Sequence, residues 1–214
     1  VSVVGLSTLL GFITAMALNV EFHGRRIARS IVVFPWATSL VIQASVWNYI
    51  IKGEYGNLNN VLLNLGILKS AVNWRATYQI EFAWECGVGI FVTIPFVAFT
   101  VLAGLQSIDK AYYEAATVDG AGFWRKLWNV TLPMMRGAIM INLVFGVTYG
   151  LKVFDIVYVL TNGGPGHATE VMTTYSFQLY GAGNYGLATA FNAILLMITM
   201  VAGILIVRGM SRKG

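Results

Sequence analysis

The sequence predicts an all-α, polytopic membrane helical bundle. Of 214 residues, 57% are hydrophobic and only 11% charged, with a mean hydropathy of +0.70. One soluble core could not hide that much apolar surface. Five stretches reach the roughly 20 mostly apolar residues that cross about 30 Å of hydrocarbon, at 1–20, 31–51, 82–105, 134–160 and 187–207. The basic residues alternate with these stretches. Arg25, Arg26 and Arg29 fall in the first connection, Lys110, Arg125, Lys126 and Arg136 in the third, and Arg208, Arg212 and Lys213 at the C-terminus. The intervening connections hold only Lys52, Lys69 and Arg75. The positive-inside rule therefore puts the chain's start outside, and its third connection and C-terminus inside, a plasma or inner membrane.

Span one, 1–20, lacks the basic leader and early small-residue cleavage pattern of a secretory signal. An external start leading straight into a hydrophobic stretch creates the expectation of a preceding span. After a short turn at Gly24, span two rises outward through Trp36, Gln43 and Trp47, which seven- and four-residue spacings put on one helical face. Residues 52–80, with Gly53, Gly56, Gly66 and several asparagines, read as external turns and short helices, and Tyr55, Trp74, Tyr78 and Trp84 suit an interfacial aromatic belt. Span three, 82–105, carries Pro95, tolerable where neighbouring helices satisfy freed backbone groups.

Between spans three and four lies a polar, helix-prone island at 107–133. Asp109 is placed to cap a helix from Lys110, and Gly120 supplies the left-handed residue that ends it. A second helix is expected from about Gly122 to Thr131, with Pro133 limiting it. The first helix offers a small-residue surface to a partner protein. The second, with Phe123, Trp124, Leu127 and Trp128 beside Arg125 and Lys126, also fits a lipid surface, so residue pattern alone leaves protein and lipid docking open.

Span four, 134–160, sets Lys152 and Asp155, the charges read as lying well inside a hydrophobic stretch, three apart on one helical face. A local pair and a proton relay both fit them. Asn142, Phe145, Tyr149 and Lys152 also share a face, which suits either a sugar path or helix packing. Residues 160–170 form a Gly- and Pro-rich external loop that cannot continue a helix. Residues 171–180 then read as a short amphipathic element, before the last span. No linker or internal repeat divides the chain, so 1–214 reads as one domain.

Several chemistries are excluded. The basic residues form no patch with interleaved aromatics, so nucleic acid is not a partner. Cys86 is alone and can form neither an intrachain disulfide nor a cysteine metal cluster. His23 and His167 fall on opposite sides of the membrane and share no metal. GAGNYG at 181–186 matches G-x-G-x-x-G but enters a membrane helix with no acidic residue about 20 positions on, so it is no dinucleotide site. Asn129-Val130-Thr131 matches a glycosylation acceptor on the internal side, a chance match. No G-x-x-x-x-G-K-[ST] occurs, so the chain is not expected to hydrolyse ATP, bind a cofactor or act as an enzyme.

EAATVDGAGFWRKLWNVTLP, residues 114–133, resembles the EAA loop of ATP-binding-cassette importer permeases, through Glu114, Ala115, Ala116, Asp119, Gly120, Ala121, Leu132 and Pro133. KVFDIVYVLTNGGPGHATE, residues 152–170, is similar to a segment of carbohydrate-uptake permeases of the maltose, oligosaccharide and glycerol-phosphate type. LQSI before the island and NYGLATA at 184–190 fit the same group. The resemblance implies a type I importer transmembrane domain with five spans here and six in the complete protein. It implies the island, 107–133, as a coupling loop in which Glu114 and Asp119 face an ATP-binding subunit, Gly120 turns the chain, and Ala115, Ala116 and Ala121 allow close packing. It implies as partners a second permease subunit, two ATP-binding subunits that carry ATP and magnesium, an extracytoplasmic solute-binding protein and membrane lipid. Aligning on Pro95 and on residues 160–165, it brings Phe91, Thr93, Phe96, Tyr149 and Gly150 to the sugar path, beside Asn142 from the polar face. An importer of another polar solute and an ion-coupled secondary transporter are the competing readings.

The topology is testable by labelling sealed cells with an impermeant thiol reagent, judged against the unsubstituted chain with its Cys86. A cysteine at Asn162 is expected to react and one at Ser107 to resist; labelling at Ser107 from outside would reverse the orientation.

Overall fold

The computed structural model describes residues 2–211. The expectations that fell on Val1, Arg212 and Lys213 lie outside the described residues. Every regular element described is helical, as a chain must be if its backbone groups are to be satisfied within single segments in lipid.

α1 (Ser2–Asn19) ends beside Gly24, whose φ of +88° admits the reversal into α2 (Arg25–Ala37). Arg25, Arg26 and Arg29, expected in a connection, belong to the first turns of α2. The reason is local: the α1 terminus leaves unpaired carbonyls, and Arg25 Nε and a terminal nitrogen donate to Leu18 O (2.8 Å) and Asn19 O (3.3 Å). Span two is not one straight helix. α2 and α3 (Leu40–Ile50) meet at 94°, because Pro35 and the extended Thr38 interrupt the ladder. Gln43 closes the break by donating its amide to the carbonyls of Pro35 and Thr38. Trp36 therefore sits on a different helix from Gln43 and Trp47, and their expected common face does not exist.

A 3₁₀ turn (Gly53–Tyr55) and α4 (Asn57–Asn64) follow, the short helices expected there. Buried Asn59 organises them: its amide donates to Gly53 O and Val72 O, and its oxygen accepts from Val72 N–H and Trp74 Nε1. α5 (Tyr78–Gln106) has 29 residues and so rises about 44 Å, enough to cross hydrocarbon and both headgroup layers. α6 (Lys110–Val118), α7 (Phe123–Lys126), a π-turn (Leu127–Thr131) and α8 (Leu132–Met134) form the polar island. Pro133 does not end the second helix as expected. It sits in the first turn of α8, where a missing N–H is tolerated. The break falls at Met135, where the segment Phe123–Met134 bends 66° into α9 (Arg136–Leu151).

Span four is also interrupted. Residues 152–154 leave the helix before α10 (Asp155–Leu160) begins. Lys152 and Asp155 thus share no helical face and form no ion pair, and Lys152 is exposed. Glu85, by contrast, is a carboxylate buried within a hydrophobic stretch, in α5. α11 (Met172–Gly181) begins where Thr174 Oγ1 accepts from Val171 N–H. It is not amphipathic in the expected sense: Thr174 and Ser176 are its buried residues, while Phe177 and Tyr180 are exposed. It packs on α12 (Tyr185–Ser211) through Ser176 Oγ, which donates to Ala188 O, and the Tyr175–Phe191 ring edge. Among the described residues three unbroken helices, Ser2–Asn19, Tyr78–Gln106 and Tyr185–Gly209, are long and apolar enough to cross a membrane, and up to five crossings result if each bent pair counts as one.

α5 carries both hydrophobic clusters. One joins Ala15 and Leu18 of α1 to Val97, Val101, Leu102 and Leu105, then to Ile108 and Met135 at the two ends of the island. The other joins Ala44 and Ile51 to Val88, Val92, Ile156 and Leu160. Gly11 lets α1 approach: a Cβ there would lie 2.5 Å from Val97 Cγ1 and 3.2 Å from the Ala98 backbone nitrogen. Helices in lipid gain association from such close packing, since lipid tails are as apolar as the side chains. Gly11→Val is therefore expected to destabilise the detergent-solubilised protein by about 1–3 kcal/mol, the cost of overpacking. Gly5→Val, where nothing lies within 4 Å, should leave the thermal midpoint nearly unchanged.

Candidate functional site

The polar island is built as a helix, a tight turn and a second helix. Asp109 accepts from Ala111 N–H at 3.0 Å and opens α6. At its other end Ala121 N–H reaches Ala116 O (2.9 Å), Gly120 N–H reaches Thr117 O (3.0 Å), and Gly120 takes φ +73°. This is the paired closure in which a glycine just beyond the helix satisfies its last carbonyls. Lys126 Nζ then donates to Thr117 Oγ1 (2.7 Å), holding the second arm beside the first.

Of the residues singled out in the sequence, Glu114, Ala115, Asp119 and Gly120 are exposed, and Ala116 and Ala121 are half-buried. The pattern did not single out Val118, which is 89% exposed at the tip. An apolar residue between Thr117 and Asp119 was the available signal. The pattern also missed the anchor: the Tyr113 hydroxyl lies 3.1 Å from Thr131 Oγ1, and Tyr113 packs against the cluster containing Ile108 and Met135. The island is therefore fastened to α5 and α9 at its base and free at its tip.

The proposed path residues divide. Phe96 stacks on Phe145 (4.0 Å between centroids), Phe145 on Tyr149 (5.6 Å), and Trp36 packs beside Phe96 (6.4 Å). An aromatic column thus runs from α2 across α5 to α9, opening on a cavity of about 440 Å³ lined by Val33, Trp36, Pro95, Phe96, Phe99, Thr100 and Ala103. Phe91 meets Trp47 edge-on instead, at 5.6 Å. Gly150 is exposed, with nothing within 4 Å of where a Cβ would sit. Thr93 and Asn142 are 7% and 2% exposed, and each donates to its own helix, to Gly89 O and Ala138 O. Asn142 Oδ1 is left without a partner. These two do not line the cavity.

A polar layer unseen in the sequence closes the opposite end. Arg75 Nε pairs with Glu81 (2.7 Å), and its terminal nitrogens donate to Asn48 Oδ1 (3.1 Å) and Leu160 O (2.6 Å). Next to it, Thr161 Oγ1 donates to Glu85 Oε1 (2.5 Å), and Thr169 Oγ1 donates to Gly164 O (2.7 Å) across the cis Gly164–Pro165 peptide. The loop at 160–170 is thereby tied to α5. Its Gly- and Pro-rich composition was legible, but a carboxylate partner 76 residues earlier was not.

Residues 7–213 match the family described as binding-protein-dependent transport system inner membrane component. A probable ABC transporter permease protein of Brucella suis biovar 1 is 36% identical over 214 residues, which are 100% of this chain and 74% of that protein. The trehalose/maltose transport system permease protein of Thermococcus litoralis is 36% identical over 197 residues, 92% of this chain and 66% of that protein. Among solved structures, a bacterial alginate ABC transporter in complex with an alginate pentasaccharide-bound periplasmic protein superposes with a TM-score of 0.83 at 27% identity, covering 99% of this chain and 75% of that one.

The anchor can be isolated by a double-substitution cycle. Tyr113→Phe and Thr131→Val each remove one hydroxyl of the pair, and the coupling between them is expected at about 0.5–1.5 kcal/mol, that of a partly buried hydrogen bond. Strictly additive effects on thermal stability would show that the contact fastens nothing.

Proposed function

We propose that this chain, which belongs to the inner membrane components of binding-protein-dependent transport systems, forms half of the transmembrane path of an ATP-driven carbohydrate importer. The observation that carries the coupling is the island's construction: a rigid helix and turn, exposed at Glu114, Ala115 and Val118, fastened at its base to the most buried spanning helix. A partner protein can grip such a tip, and displacement of the tip reaches α5 and α9. We assign that partner as an ATP-binding subunit, present twice and carrying the ATP and magnesium, with a second permease as the other half of the path. The island and C-terminus are cytoplasmic in this reading, and a solute-binding protein delivers from the other face.

Carbohydrate as the cargo is supported by the relatives: the Thermococcus protein is named for trehalose and maltose, and the solved neighbour carries alginate. The column of Phe96, Phe145 and Tyr149 offers aromatic faces suited to sugar C–H surfaces, with the Tyr149 hydroxyl for hydrogen bonding. Thr93 and Asn142 then serve packing rather than contact with solute. The rival reading, a secondary transporter, rested on the charges of Lys152 and Asp155; the break at 152–154 takes them off a common helical face, and the family match favours the ATP-driven reading.

Glu114→Lys reverses a charge at the gripped surface, and Gly120→Val forces a β-branched residue into a left-handed turn at a cost of about 1–2 kcal/mol. Both are expected to weaken association with the ATP-binding subunits or lower ATP-coupled uptake while membrane insertion is kept. Unchanged uptake in both would remove the coupling assignment. Tyr149→Ala is expected to lower uptake about tenfold through loss of roughly 1–2 kcal/mol of contact, with solute capture by the external binding protein intact. Normal transport by that variant, with Gln43 and Trp47 substitutions abolishing it, would move the path to α3.

A further inference from the structure

We infer that the two arms of the island have different partners, and that the second arm, Phe123–Met134, lies on the membrane surface and holds the loop to lipid headgroups through Trp124 and Trp128. This goes beyond the proposed function and shares with it only the loop's position at the membrane face.

The geometry comes first. Phe123–Met134 is inclined 66° to α9. Spanning helices tilt by about 20° from the bilayer normal on average, so an arm bent this far from one runs nearer the membrane plane than the normal. Its 12 residues extend about 18 Å along that surface. The arm is also sided. Thr131 is buried, and Leu127 and Val130 are half-buried toward the bundle, while Phe123, Trp124 and Trp128 are exposed by 60%, 70% and 65%. Lys126 is turned inward to Thr117, which leaves Arg125 exposed beside the tryptophans.

Met134 at the bend and Ile141 on α9 are exposed as well, so the arm's exposed rings adjoin a helix that also presents apolar side chains outward. An amphipathic helix of this orientation with a basic residue beside aromatic rings is the composition that seats at a headgroup boundary, where the indole ring is half in apolar surroundings and its N–H remains wet. The first arm differs in charge: exposed Asp109, Glu114 and Asp119 outnumber exposed Lys110 there, an acidic balance that headgroups on an anionic membrane repel. Lipid on one arm and protein on the other resolves the two readings that residue pattern left open, and it makes the second arm the fixed side about which the tip can move.

The test uses the complete importer in nanodiscs with the permease reduced to one tryptophan, Trp124 or Trp128, the other five replaced by phenylalanine. Lipids brominated near the top of the acyl chain are expected to quench each by about half, and lipids brominated near the chain end much less, as for a side chain at the headgroup boundary. Quenching should be the same with and without the ATP-binding subunits. Absence of bromolipid quenching in the assembled complex, or an emission shift when the ATP-binding subunits are added, would overturn the assignment and give this arm to protein. Should the multiply substituted chain not fold, a photoreactive benzoylphenylalanine in place of Trp128 alone decides: a phospholipid adduct supports the inference, and an adduct with an ATP-binding subunit defeats it. Either result leaves the assignment of Glu114 standing.

Discussion

The close approach of α1 to α5 at Gly11 is the contact on which the rest of the arrangement depends. It brings Ala15 and Leu18 onto Val97 and Val101, and so makes α5 a buried helix at the centre of the bundle rather than one more lipid-facing span. Gly104 repeats the device on the α9 side, where a Cβ would come within 2.9 Å of Ala138 Cβ. In lipid, where apolar burial alone does not draw helices together, such small-residue contacts set which helices can touch. The two hydrophobic clusters are both extensions of this central helix.

That constraint ties the two ends of the molecule to one another. At one end the polar island begins from the last turn of α5 and returns through Met135, with both junctions in the same cluster. At the other end Glu81 and Glu85, four residues apart on α5, hold Arg75 and Thr161 and with them the loop that follows α10. A rod of about 44 Å thus has the polar island at one end and a polar latch at the other, with Phe96 of the aromatic column between them. The breaks in the neighbouring helices, at Thr38 and at 152–154, place the bends where α5 itself has none.

Much of this was legible in the sequence, and the failures have physical causes. The helical class, the island, its Asp109 cap and its Gly120 turn all depend on local chemistry within a few residues, which a sequence displays directly. The broken spans were not legible: periodicity in the stretches 31–51 and 134–160 continues across breaks because apolar residues satisfy lipid and helix alike. Trp36 and Phe96 meet only because α2 bends away from α3, so the aromatic column could be named by composition but not assembled. The setting of buried Glu85 was not legible because its partner, Thr161, comes from a distant loop. Charge counted along one stretch cannot report a hydrogen bond made across the fold. Thr93 and the amide nitrogen of Asn142 show the converse, since each donates to a carbonyl of its own helix.

The central claim, that the tip of the island is gripped by the subunit that hydrolyses ATP, is tested most directly by a photoreactive side chain in place of Val118, illuminated in membrane vesicles that contain the complete importer. The account predicts a covalent adduct between this chain and the ATP-binding subunit, with a yield that changes when ATP is added. An adduct with lipid alone, or none in vesicles that transport normally, would contradict it.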